Sequence, residues 1–72
     1  MNTENLVKMA NQIGAFFEAM PDREEAVSGV ANHIRNTWDR RMREALLQHL
    51  AVHEEAGLKS VVRDAVALLR QG

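Results

Sequence analysis

The sequence predicts an all-α fold, a small bundle of four short amphipathic helices forming a single helical domain over residues 1–72. Three observations lead there. Apolar residues recur at the i, i+3, i+4, i+7 spacing of one helix face through most of the chain. One proline and four glycines leave little room for a turn-rich β architecture. There is no cysteine, so disulfides and thiolate metal sites cannot hold the fold, while apolar residues reach 46%. A chain of this size buries only about 60–65% of its unfolded surface and relies on tight helix packing or on association.

The first helix takes its stripe from Leu6, Met9, Ala10, Ile13, Phe16, Phe17 and Met20. Asn2 or Thr3 caps its start, Glu4 suits its first turn, and Pro21 ends it. The second begins at Pro21 or Asp22, with Asp22, Glu24 and Glu25 at the end where negative charge is favoured. Its stripe is Val27, Val30, Ala31 and Ile34, with Trp38 four residues on. Gly29 weakens it by up to about 1 kcal/mol relative to alanine, which a close helix–helix approach would explain. Asp39 caps a third helix with Met42, Leu46, Leu47 and Leu50 on its stripe, and Gly57 is its left-handed stop. The fourth places Leu58, Val62, Ala65, Val66 and Leu69 on one face, with Arg70 in its last turn. Ile13, Val30, Ile34, Leu46, Leu50 and Val62 are the expected core, and short connections pack sequential helices side by side.

Composition narrows the function classes. A net charge of −1 argues against a general nucleic-acid binder, whose domain is clearly basic. The halves differ only slightly: residues 1–36 hold three cations and five anions, residues 37–72 six and five. No apolar run approaches the roughly 20 residues that cross a bilayer. The start Met1-Asn2-Thr3-Glu4-Asn5 lacks a signal-peptide pattern, so a cytoplasmic location without membrane association is expected.

Nothing in the chain reads as a catalytic centre. His49 and His53 share a helix face with Glu54 adjacent, yet the His-Glu-x-x-His order of zinc peptidases and a distant third ligand are missing. His33 lies beside the second stripe, within reach of Asp39 or Glu44, but has no nucleophile to serve. Ser28 and Ser60 sit in no nucleophile-elbow pattern. The reading is therefore a chain without catalytic residues, cofactor or metal.

The segment Ile34–Arg43 is the most specific. It holds the only tryptophan and four of the nine cationic side chains. Arg40, Arg41 and Arg43 fall in the first turn of the third helix, where positive charge opposes the helix dipole. Tryptophan and arginine are the residues enriched at interface hot spots. Trp38, Arg40, Arg41, Met42 and Arg43 are accordingly the candidate partner-binding residues. An indole at such a junction either anchors a partner or plugs the core. Phe16 and Phe17 point about 100° apart, so one lines the core while the other flanks it or meets a partner.

Met9-Ala10-Asn11-Gln12-Ile13-Gly14-Ala15-Phe16-Phe17, Ala31-Asn32-His33-Ile34-Arg35 and Trp38-Asp39-Arg40-Arg41-Met42-Arg43 resemble the delta subunit of NAD-dependent formate dehydrogenases. These are cytoplasmic, multisubunit bacterial molybdenum or tungsten enzymes. Gly57-Leu58 and Val62-Arg63-Asp64-Ala65-Val66 fit the family's tail, so the resemblance runs almost end to end. Arg40 stands where the family often has proline, and Lys59-Ser60 where it has Asp-Pro, both at helix starts. The resemblance implies a small, cofactor-free, non-catalytic subunit tied to assembly or stability of the complex. It implies other formate dehydrogenase subunits as partners, above all the large catalytic one, with self-association when isolated as a further possibility. The competing reading is a small helical DNA-binding regulator, with Arg40–Arg43 opening a recognition helix. The negative charge and the run Leu46-Leu47-Gln48-His49-Leu50, poor in base-reading side chains, oppose it.

Overall fold

The structure is a computed structural model and describes residues 2–53 and 57–71. Four helices follow one another: α1 (Thr3–Phe17), α2 (Arg23–Thr37), α3 (Arg40–His53) and α4 (Ser60–Gln71), with no strand among the described residues. The expected caps are in place. The Asn2 side chain accepts from the Glu4 and Asn5 amides, and that of Asp22 from Glu24 and Glu25. Asp39 Oδ1 accepts from the Met42 amide at 2.9 Å and starts α3. Gly57, at φ 86°, is left-handed as its position after α3 suggested.

The core joins Leu6 and Ala10 of α1, Ala26, Val30, Ala31 and Ile34 of α2, Leu46 and Leu50 of α3, and Val61, Val62, Ala65 and Val66 of α4, with Trp38 and Leu58 from the connections. Most of the expected core is here, but Ile13 is only half-buried. The α1 face that meets the core runs through Leu6, Ala10 and Gly14, one residue off the expected centre. α1 also stops at Phe17, four residues before Pro21, and leaves Met20 outside the helix at 37% exposure.

Small residues set the closest approaches. A β-carbon at Gly14 would lie 2.5 Å from Val62 Cγ2 and 3.2 Å from Val61 Cγ1, so only glycine lets α1 sit this tightly on α4. At Gly29 a β-carbon would meet the Phe17 ring at 2.5 Å, the close α1–α2 approach that its sequence position implied.

The expectation that sequential helices pack side by side holds for α1 and α2 but not throughout. The most extensive pairing is α2 with α4, and the main support of α3 is α1. α2 and α4 run the same way: Arg23 pairs with Asp64 at 2.8 Å, and one turn on Val27 and Leu68 line the same groove. Asn11 helps set this course. Its amide donates to the Gly57 carbonyl at 2.8 Å and accepts from the Lys59 amide at 3.0 Å, fastening the start of α4 against α1. Lys59 then reaches Glu18 at 3.2 Å. The start of α4 is thus held by a clamp from another helix. The radius of gyration is 11.0 Å, matching the roughly 11 Å of a folded chain of this length.

Candidate partner-binding surface

The corner between α2 and α3 is built from the backbone outward. The Trp38 amide donates to the Ile34 carbonyl at 2.9 Å, and the chain leaves α2 there in extended conformation. This turn swings the indole inward, where it is 5% exposed and part of the core. Of the two alternatives for Trp38, the indole takes the second and plugs the junction of α2 and α3. In a small domain whose helices supply mostly alanine, valine and leucine, the largest apolar side chain fills the junction rather than leaving it.

Asp39 then holds the first turn of α3, its carbonyl accepting from the Arg43 amide at 3.2 Å. From that start the helix rotates about 100° per residue, which separates the candidates. Met42 and Arg43 fall within about 60° of the direction of Leu46 and Leu50, and both are half-buried. Met42 packs against the core, so it underlies the surface instead of forming its centre. Arg40 and Arg41 lie about 100° and 160° from that direction, and both are exposed. Arg40 Nε donates to Glu44 Oε1 at 2.8 Å, and this bond, then the charge of Glu44, raises the Arg40 pKa above its ordinary value. Among the described residues, Arg41 and Arg43 make no ion pair. The corner can thus present one braced and two unengaged guanidinium groups, whose fork geometry suits carboxylates.

The other candidates separate clearly. The His49 and His53 rings lie 4.3 Å apart, tilted by 36°, but no group of three potential metal ligands forms among the described residues, and Glu54 lies outside them. His33 meets the Phe17 ring at 6.2 Å, while Asp39 and Glu44 are engaged by α3 itself. Ser60 accepts from Arg23 at 3.2 Å. No buried side chain among the described residues is polar or charged. Phe17 is half-buried and Phe16 is 74% exposed, which resolves the pair: Phe17 flanks the core and Phe16 does not.

A sequence model of the family described as the NADH-dependent formate dehydrogenase delta subunit, FdsD, matches residues 5–66. The chain belongs to this family. No curated protein and no solved structure matches it. The matched stretch takes in the Asn11 clamp, both phenylalanines, Trp38 and the arginine corner. The family name makes its members one subunit of a larger formate dehydrogenase, so association with other subunits follows from membership. No helix among the described residues is long and apolar enough to cross a membrane.

Proposed function

We propose that this chain is a non-catalytic accessory subunit of a cytoplasmic NAD-dependent formate dehydrogenase, a single helical domain that supports assembly or stability of the complex. It binds the large catalytic subunit through Arg40, Arg41 and Arg43, seated on Met42 and Trp38. The observation that carries this reading is the unengaged arginine pair at the dipole-disfavoured start of α3. Three cations in that turn lower the helix's own stability by a few tenths to about 1 kcal/mol each. Only Arg40 recovers some of this, through Glu44. Carboxylates on a partner would recover the rest.

Arg41→Glu combined with Arg43→Glu is expected to leave helicity intact. Exposed substitutions shift stability by about 0.5 kcal/mol or less. The partly packed stem of Arg43 loses some contact, while negative charge in a first turn returns about 0.3–1 kcal/mol. The same change should reduce co-purification with the other subunits and lower formate oxidation in the cell. Arg41→Glu alone, at the most outward position, should show the same trend more weakly. Full association and activity in a folded double variant would remove this surface from consideration.

A further inference from the structure

Of the four helices, α3 is held least firmly. Its buried residues are Leu46 and Leu50, whereas α2 and α4 each bury four. Among the described residues, no side chain of α3 makes a hydrogen bond or ion pair with another helix; Arg40 and Glu44 bond to each other within it. α4 is tied down by contrast. Arg23 reaches Ser60 and Asp64, Asn11 accepts from the Lys59 amide, and Lys59 reaches Glu18. Beyond its cap Asp39, the first turn of α3 carries three arginines and no acidic residue, so its charge opposes the helix dipole. The chain is fixed on either side: Trp38 is buried before α3, and Asn11 holds the Gly57 carbonyl after it at 2.8 Å. Release of α3 between those points leaves α1, α2 and α4 packed on one another.

We infer that α3 opens from the other three helices as a unit in the free chain, and that carboxylates of the large catalytic subunit, paired with Arg41 and Arg43, hold it closed. This rests on the accessory-subunit reading and adds regulation of the same surface. Segments with few buried apolar contacts open at a lower free energy than the whole chain unfolds. Each cation in the first turn shifts the balance toward opening roughly two- to fivefold. A carboxylate paired with either arginine offsets that bias. A partner that binds only closed α3 suppresses opening in proportion to its affinity. Opening bares Leu46 and Leu50, so the chain outside the complex exposes apolar surface that the chain inside it covers.

Amide hydrogen exchange of the full chain tests this, free and in complex with the co-expressed formate dehydrogenase subunits. The probes are the amides of residues 46–50, beyond the turn that the partner touches. In the free chain they should exchange at least about tenfold faster than the slowest amides of α2 and α4. Arg41→Glu combined with Arg43→Glu should slow them on the order of tenfold in the free chain, because two unfavourable charges become favourable ones. Arg41→Gln with Arg43→Gln should slow them about threefold. In the complex, the parent's amides at 46–50 should slow at least about tenfold. Exchange at 46–50 in step with α2 and α4 in the free chain overturns the separate opening. Unchanged or faster exchange in both charge variants overturns its control by the arginines. Either result leaves the subunit reading standing. Unchanged exchange at 46–50 in the complex, with α2 and α4 slowed, puts the partner on other helices and overturns the closure. If the parent chain retrieves no formate dehydrogenase subunit, the subunit reading falls and closure by a partner falls with it.

Discussion

Trp38→Ala is expected to destabilise the chain by about 3–5 kcal/mol, the range for removing a buried large aromatic side chain. The indole is 5% exposed and lies where α2 hands over to α3, so its loss opens a cavity shared by two helices. A chain of 72 residues has a total stability of about 4–11 kcal/mol at common per-residue values. Most or all of it would be lost, and the variant should be largely unfolded near 37 °C. Far-ultraviolet circular dichroism during urea unfolding measures this without a tryptophan signal. A midpoint within experimental error of the parent would show that the indole is not in the core.

Leu46→Ala should cost about 2–5 kcal/mol and should act unevenly. Leu46 is fully buried, and with Leu50 it makes up the buried set of α3, whereas α2 and α4 each bury four residues. Truncation removes half of the deep anchorage of α3 and leaves the α2–α4 pairing intact. Native-state hydrogen exchange should therefore show amides of α3 losing protection well before those of α2 and α4. Because the arginine corner opens α3, association with partner subunits should weaken as well, although no surface residue has changed. Uniform loss of protection in all helices would instead mean that α3 unfolds only with the whole chain.

The helices were legible because their signals are local. Stripe spacing, the caps Asn2, Asp22 and Asp39, and the left-handed Gly57 depend on residues within a turn or two. The faces were less legible where small residues do the packing. Gly14 and Ala26 are buried while the bulkier Ile13 and Val27 beside them are only half-buried. Hydrophobic spacing weights bulk, but the closest helix approaches select for its absence. Pairings distant in sequence were not legible at all. Asn11 looks like an ordinary polar residue beside a stripe until Gly57 and Lys59, more than 40 positions away, are placed against it.

The candidate surface divides in the same manner. Clustered charge at the start of α3 was visible in the sequence, and so was the family, whose model spans residues 5–66. The inward turn of Trp38 was not, because an indole at a helix junction satisfies the same spacing whether it faces solvent or the core. The rotation of α3 decides the remainder, turning Arg41 outward and Met42 toward Leu46 and Leu50.

The most direct measurement is deletion of this chain from cells that make the other formate dehydrogenase subunits, with both the amount of assembled complex and the formate turnover per assembled complex determined. An accessory subunit predicts a large fall in assembled complex, with turnover preserved in the fraction that does assemble, and recovery of assembly when the chain is restored. A full complement of assembled complex with turnover lost would contradict this and place the chain in the chemistry. Full assembly with full turnover would contradict it equally, by showing that the enzyme does not need the chain.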